Sequence, residues 1–204
     1  FDGTYDVKLL GDFQQENAAV AIATVAQLHE NGHAWANPHA LRESLSSAKW
    51  PGRMEVLNQT PPIVIDCAHN PYSAETLAKS LQVWFPGVSW VLIFGSSSDK
   101  DIKGMLEALL PISRHVIATR SYHPRATAPS TLADRCADLG HGAEIAVNPR
   151  RALEQASHSL EPGFGIVATG SIFLVADVRE AWAHHTNLDL PLGDWVDEPW
   201  EPHP

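Results

Sequence analysis

The sequence predicts an α/β fold in which helices cover both faces of a mostly parallel, doubly wound sheet. Five short apolar runs rich in Val and Ile alternate with five helix-like segments. Such runs are typical of parallel strands that are buried on both faces, and regular alternation of strands and helices implies right-handed crossovers. The runs are 63–66, 90–94, 115–118, 143–147 and 165–168, and the helix-like segments are 72–84, 101–110, 130–139, 149–160 and 172–183. With 44% hydrophobic and 19% charged residues, the chain can bury a core of this size.

The first part of the chain predicts one strand and two helices ahead of this alternating region. Apolar and polar residues alternate over 5–9, which is the period of a strand. An alanine-rich helix follows and is predicted to end at Asn31-Gly32, because glycine there is a helix-stop signal. Asn37 can cap a second helix whose first residue is Pro38.

Residues 53–57 predict a further strand directly before the first apolar run. Helix-start residues precede three of the later helices: Asp99, Ser130, and Asn148 followed by Pro149. The chain ends in an acidic, Pro-rich tail that contains Trp195 and Trp200. We expect this tail to be irregular.

Composition and charge exclude several classes of function. The formal net charge of -10 argues against a basic surface of the kind that binds nucleic acid. No apolar run approaches the roughly 20 residues that a membrane-spanning helix requires, and the N-terminus has no signal-peptide pattern. Two cysteines in 204 residues fit a reducing, cytoplasmic compartment better than a disulfide framework. Because the chain begins with Phe1 rather than Met, we expect it to be a piece of a longer protein.

Several common catalytic and metal-binding patterns are absent from the sequence. Neither a phosphate-binding loop, G-x-x-x-x-G-K-S/T, nor a G-x-G-x-x-G fingerprint is present. His29 and His33 form the only histidine pair with i, i+4 spacing, and no carboxylate stands in register beside them. Cys67 could be a nucleophile, but its place in a tight turn is more typical of a small buried residue. We therefore predict no metal site here and no triphosphate binding by this chain unaided.

Asp66 suggests a binding site, because it ends the apolar run "IVID" and precedes the loop "CAHNP". In an open α/β sheet, ligands bind at the carboxyl ends of the strands. The carboxylate of Asp66 could bind a hydroxyl or amine, and the N–H groups at the start of the next helix could bind an anion, with the imidazole of His69 beside them. Alternatively, Asp66 and Asn70 only cap that helix. The segments 95–101 and 168–173 follow two other strands and belong to the same edge.

Six motifs occur in order along the chain. They are "LLGDFQQENAAVA" (9–21), "WPGRMEV" (50–56), "VIDCAHNP" (64–71), "SSDKDI" (97–102), "SYHPRATAP" (121–129) and "ATGSIFLVADVR" (168–179). This series resembles the C-terminal part of folylpolyglutamate synthases and dihydrofolate synthases, in the Mur ligase superfamily. The resemblance covers residues 5–180. Two positions depart from the family pattern: Phe13 stands where a histidine is usual, and Cys67 where a glycine is usual.

The resemblance implies a division of the chain into three parts. Residues 1–47 would be the C-terminal end of a central, ATP-binding domain, and residues 48–185 a Rossmann-like C-terminal domain. Residues 186–204 would be the acidic tail. A P-loop domain that holds the ATP phosphates and the ligands of Mg²⁺ would precede residue 1 in the same polypeptide, and the protein would be a monomer.

The resemblance also implies a reaction, in which ATP phosphorylates a folate carboxylate and L-glutamate then attacks the acyl phosphate. Asn17 would contact the adenine, Arg53 the phosphates and Asp66 the ribose. His69 would be catalytic and Asn70 would bind the nucleotide, both near the cleft between the domains. Three further residues are candidates for binding glutamate: Ser73, Arg125 and Ser171. ATP and Mg²⁺ would be the cofactors, and this chain alone would be inactive.

Three alternatives stay open. The acceptor could be dihydropteroate, tetrahydrofolate or both. Another Mur-type ligase, such as one that builds peptidoglycan or cyanophycin, is the nearest rival, although "DCAHNP" and "PGRMEV" favour the folate branch. The rival from a different class is a non-catalytic Rossmann-like module that binds a nucleotide or a partner protein, with Trp195 and Trp200 in the docking surface. The combination of Asn17, Arg53 and Asp66 argues against such a module.

Overall fold

The computed structural model describes residues 1–186, which form a six-stranded sheet with helices on both faces. The strands are β1 Glu55–Gln59, β2 Pro62–Ile65, β3 Ser89–Phe94, β4 Ser113–Ala118, β5 Glu144–Ile145 and β6 Phe164–Thr169. The helices are α1 Phe13–Glu30, α2 Pro38–Ser47, α3 Pro71–Trp84, α4 Ile102–Leu109, α5 Pro129–Asp138, α6 Pro149–His158 and α7 Ile172–Thr186. The strand order is β1-β2-β6-β3-β4-β5, with β1 antiparallel and all other neighbours parallel. The predicted α/β fold with a mostly parallel sheet is therefore confirmed.

Side chains of the central strands alternate between two apolar clusters, one on each face of the sheet. Along β3, Leu92 and Phe94 belong to the cluster that includes α3, α4 and α5, whereas Val91 and Ile93 belong to the cluster that includes α6 and α7. Burial on both faces explains why these strands are continuous apolar runs. In β3 and β6 the polar side chains, Ser89 and Thr169, therefore stand only at the strand ends.

Residues 1–47 form the two predicted helices but not the predicted strand. The N–H of Lys8 donates to the carbonyl oxygen of Leu45 at 3.4 Å. No strand of the described part of the chain lies beside 5–9, however, and a strand requires a neighbour to complete its hydrogen-bond ladder. The prediction of a strand at 5–9 is therefore wrong. Asn37 caps α2 as predicted, and its side-chain oxygen accepts the N–H of Ala40 at 2.9 Å.

The later helix starts agree with the prediction at one position and differ at two. Asn148 caps α6 as predicted. Asp101 rather than Asp99 caps α4, because the carboxylate of Asp101 accepts the N–H of the third helical residue at 2.9 Å. The helix α5 begins at Pro129 without a side-chain cap, so Ser130 lies inside the helix.

The remaining differences concern the ends of the domain. The strand β1 begins at Glu55, later than predicted, because residues 51–54 form a turn. The predicted tail with Trp195 and Trp200 lies outside the described residues. Among residues 1–186, none of the helices combines the length and the apolar character that crossing a bilayer requires.

Candidate functional site

A cleft of about 630 Å³ opens at the carboxyl ends of β2, β3 and β6, and residues of α1, α3 and α7 also line it. The cleft brings together seven of the eight residues that the sequence singled out: Asn17, Arg53, Asp66, His69, Ser73, Arg125 and Ser171. The eighth, Asn70, is next to His69 in the chain but is not among the lining residues. The five that follow β2, β4 and β6 meet because these parallel strands end at one edge of the sheet. Asn17 comes from α1, and Arg53 from the turn before β1.

Asp66 is buried at the end of β2, and both of its carboxylate oxygens accept backbone N–H groups. Oδ2 accepts from Met54 at 2.9 Å, and Oδ1 accepts from Ala68 at 2.8 Å. Burial raises the pKa of Asp66, while these two donors and the charge of Arg53 oppose the rise. Asp66 therefore ties the turn before β1 to the loop after β2. Because a carboxylate offers about four acceptor sites, it can still accept from a hydroxyl group of a ligand.

Cys67 packs under the same turn rather than acting as a nucleophile. A Cβ atom on Gly52 would lie 2.7 Å from the Cys67 Sγ atom. Burial, with the charge of Asp66 beside it, raises the pKa of the Cys67 thiol to about 12. The thiolate is therefore negligible at neutral pH, and the side chain serves as a packing group.

His69, Asn70 and Ser73 form the start of α3. Oδ1 of Asn70 accepts the N–H of Ser73 at 2.8 Å, and Oγ of Ser73 accepts the N–H groups of His69 and Asn70 at 3.0 and 3.2 Å. This arrangement is a capping box. Nδ1 of His69 lies 3.0 Å from the carbonyl oxygen of Cys67. Since a carbonyl oxygen only accepts, Nδ1 carries the proton and Nε2 is the acceptor that the ring can offer a ligand.

Two cationic side chains, Lys100 and Arg125, come from the loops that follow β3 and β4. Nζ of Lys100 lies 3.1 Å and a guanidinium nitrogen of Arg125 lies 3.9 Å from the carboxylate of Asp99. The hydrogen bond from Lys100 is the main cause that lowers the pKa of Asp99. The N–H of Ser98 donates to the carbonyl oxygen of Arg125 at 3.0 Å and joins the two loops. Together, the two cations and one carboxylate leave a positive charge that suits a carboxylate ligand.

Ser171 stands where β6 turns into α7, and this turn requires a glycine. Gly170 has a φ of 110°, and a Cβ atom on it would lie 2.6 Å from the carbonyl oxygen of Gly95. The ends of β3 and β6 therefore approach so closely that a larger residue at 170 would force them apart. Oγ of Ser171 accepts the N–H of Phe173 at 3.3 Å.

Asn17 reaches the cleft from α1. Its Nδ2 donates to Oε1 of the buried Gln14 at 3.0 Å, so Oδ1 is the acceptor that it can present to a ligand. A second cavity of about 400 Å³ adjoins the cleft at Asn17, Trp50 and Arg53, which line both. Phe13, which replaces the histidine of the family pattern, also lines the cleft.

The lining residues that were not predicted include Trp50, Lys100 and Phe173. A lysine at the carboxyl end of a strand, in the motif "SSDKDI", was a signal that could have identified Lys100. Trp50 and Phe173 are 63% and 41% exposed, and the Phe173 ring stacks on His123 with the ring centroids 3.9 Å apart. Local sequence does not distinguish such exposed rings from core aromatics.

The arrangement suits an anionic organic ligand. The volume of the cleft lies in the range of small-molecule sites, and the cleft combines cations with hydrogen-bonding groups. Among residues 1–186, no three His, Cys, Asp or Glu side chains are grouped so as to hold a metal ion.

The chain is similar to a known protein family and to several characterised proteins. The family described as "Mur ligase, glutamate ligase domain" matches residues 52–172. The probable bifunctional folylpolyglutamate synthase/dihydropteroate synthase of Halobacterium salinarum is 36% identical over 182 residues, which are 87% of this chain and 21% of that protein. The dihydrofolate synthase/folylpolyglutamate synthase of Bacillus subtilis is 29% identical over 173 residues, which are 84% of this chain and 40% of that protein.

Solved structures agree with the sequence comparison. The Mycobacterium tuberculosis folylpolyglutamate synthase complexed with ADP and AMPPCP matches with a TM-score of 0.78 and 30% identity, over 93% of this chain and 43% of that one. This chain therefore spans less than half the length of these relatives.

Proposed function

The chain belongs to the Mur ligase family by its glutamate ligase domain, and we propose that it is the C-terminal part of an ATP-dependent ligase that joins L-glutamate to a folate. Longer proteins that contain a region similar to this chain are named folylpolyglutamate and dihydrofolate synthases. The observation that supports the proposal is the cleft itself, in which Asn17, Arg53 and Asp66 meet the cations Lys100 and Arg125.

The chemistry of amide formation explains why such a cleft is needed. A carboxylate does not react with an amine at neutral pH, so ATP first phosphorylates the folate carboxylate to an acyl phosphate. The glutamate amine then attacks, and the tetrahedral intermediate collapses to the amide and phosphate. Negative charge develops on phosphoryl and carbonyl oxygens, and cations and oriented N–H groups stabilise it.

The nucleotide side of the proposed site comprises residues from α1, the turn 50–54 and the end of β2. Oδ1 of Asn17 would accept a hydrogen bond from the adenine amino group, and Arg53 would bind the phosphates. Asp66 would accept a ribose hydroxyl beside its two backbone donors. His69 would be catalytic, because its Nε2 atom can accept a proton of the attacking amine. Asn70 would contribute by holding the start of α3 beside the nucleotide.

The glutamate side would comprise Lys100 and Arg125, which can bind carboxylates, with Ser73 and Ser171 as hydrogen-bonding neighbours. Residues 1–47 would be the end of the central domain, and a P-loop domain carrying the Mg²⁺ ligands would precede them. Mg²⁺ would neutralise charge on the ATP phosphates. The whole protein would act as a cytoplasmic monomer, and this chain alone would be inactive.

The test uses the complete polypeptide, meaning this chain with the P-loop domain that we expect before it. Glutamate-dependent ADP release is measured with dihydropteroate and with tetrahydrofolate. Lys100→Met should raise the KM for glutamate by roughly 10- to 100-fold, because a charge-assisted hydrogen bond is lost. Lys103→Met is the matched control, since Lys103 pairs with Glu107 on the exposed face of α4 at 3.7 Å.

Each outcome has a definite meaning. An unchanged KM for glutamate in Lys100→Met would remove Lys100 from the glutamate site. If ADP were released at the same rate without dihydropteroate and without tetrahydrofolate, the folate assignment would be refuted. If a UDP-muramyl peptide served as the acceptor instead, the chain would belong to a peptidoglycan ligase.

A further inference from the structure

A buried ion pair lies behind the turn that carries Arg53. Nε of Arg179, on α7, donates to both carboxylate oxygens of Glu55, on β1, at 2.9 and 3.1 Å. Arg179 is only 6% exposed although it carries a charge. The sequence separation of 124 residues shows that the pair joins two distant parts of the domain.

The carboxylate of Glu55 has a second contact, and this contact reaches the turn. Its Oε2 accepts the N–H of Gly52 at 2.8 Å. The carbonyl oxygen of Gly52 accepts the N–H of Cys67 at 2.8 Å. One residue beyond Arg53, the N–H of Met54 donates to Asp66 at 2.9 Å. Arg53 thus lies between Gly52, which is bonded to Glu55 and to Cys67, and Met54, which is bonded to Asp66.

Stability alone does not account for this pair. An apolar pair of similar volume is usually at least as stable as a buried ion pair, because both charges must be desolvated. An apolar side chain at 55 would, however, leave the buried N–H of Gly52 without its acceptor. The carboxylate supplies the acceptor, and the guanidinium neutralises the carboxylate.

We propose that Arg179 is a positioning residue, which acts through Glu55 to hold the turn 50–54 and so directs the Arg53 side chain into the cleft. The anionic group that Arg53 binds would be the phosphate chain of the nucleotide, and this part rests on the proposed function. Arg179 itself is not among the residues that line the cleft. The helix α7 would thereby couple the glutamate side of the cleft, at Ser171, to the phosphate side.

The first experiment measures amide hydrogen exchange in this chain. In Glu55→Met/Arg179→Met both charges are removed, so the fold should survive even if the single variant Arg179→Met does not. The N–H of Gly52 should exchange about 10-fold faster in the double variant, because it loses its acceptor. The N–H of Met54, bonded to Asp66, is the internal control and should change by less than about 3-fold. The proposal would be overturned if the exchange rates of both amides rose equally, or if neither rate changed.

The second experiment measures kinetics in the complete polypeptide. The double variant should raise the KM for ATP by about 10-fold or more while kcat falls less, since a misplaced Arg53 mainly weakens ground-state contact with the phosphates. The single variant Arg179→Lys retains Glu55 and the positive charge at 179, so its KM for ATP should lie much closer to the wild-type value than that of the double variant. Lys79→Met is the matched control, because it breaks the exposed pair with Glu75 at 2.7 Å.

The outcomes separate this proposal from the proposed function. A double variant with a normal KM for ATP would overturn the role of Arg179, provided that the wild type is active. A wild type that does not consume ATP would instead refute the proposed function and, with it, the phosphate contact of Arg53.

Discussion

Gly52→Ala is the substitution for which the structure predicts the most specific result. Gly52 has a φ of 70°, which disfavours any residue with a side chain. The added Cβ atom would lie 2.7 Å from Sγ of Cys67 and 3.0 Å from a methyl group of Val175. Both neighbours are packed, so either the turn or the thiol must move.

The expected loss in the free energy of unfolding has two parts. The left-handed backbone costs about 1 kcal/mol for a non-glycine residue, and overpacking costs a further ~1–3 kcal/mol. Gly32→Ala is the matched control, because Gly32 has a φ of 88° but nothing lies within 4 Å of its added Cβ. The loss of chain entropy in the unfolded state applies to both variants. The difference between them, ~1–3 kcal/mol, therefore measures the clash with Cys67 and Val175.

Urea unfolding of this chain measures both variants on the same scale. Cys67→Ala removes the Sγ atom and should restore about 1 kcal/mol to Gly52→Ala in a double-mutant cycle. If Gly52→Ala and Gly32→Ala lost equal stability, the turn would not be packed as described. An absence of coupling between positions 52 and 67 would show that the thiol is not the obstacle.

Two other substitutions, one of the buried Asp66 and one of the half-buried Asp177, should have opposite effects. Asp66→Asn should lower the free energy of unfolding by ~2 kcal/mol. The amide nitrogen of the new side chain would face one of the two backbone N–H groups whose hydrogen bonds Asp66 accepts. Wild-type stability in urea unfolding at pH 7 would contradict this. Asp177→Asn should raise stability at pH 7, since burial raises the pKa of Asp177 to about 6 from 3.8, with Glu180 adding to the rise. The folded state then binds the proton more tightly than the unfolded state, so stability falls as pH rises from about 4 to about 6. The fall is at most ~3 kcal/mol, and partial exposure reduces it to ~1 kcal/mol. Asp177→Asn should remove the contribution of Asp177, so that the fall in stability becomes smaller by ~1 kcal/mol. Unfolding curves measured from pH 4 to 7 that keep the full wild-type slope would refute the argument.

The sequence by itself determined the order and approximate positions of the alternating strands and helices from β2 onward. The apolar runs of β2, β3 and β6 and the cap at Asn148 depend on residues a few positions apart, so they are visible in the sequence. The cleft could also be predicted, because Asp66 and Ser171 directly follow parallel strands and such strands end at one edge.

Only the tertiary structure decided how these elements meet. A pattern of period two predicted a strand at 5–9, but whether a strand forms depends on a neighbour that the pattern does not contain. The backbone donors on Asp66 and the ion pair of Glu55 with Arg179 are likewise not visible in the local sequence. The physical reason is that periodicity and capping act within a turn or two of chain, whereas a contact across 124 positions depends on which strands lie side by side.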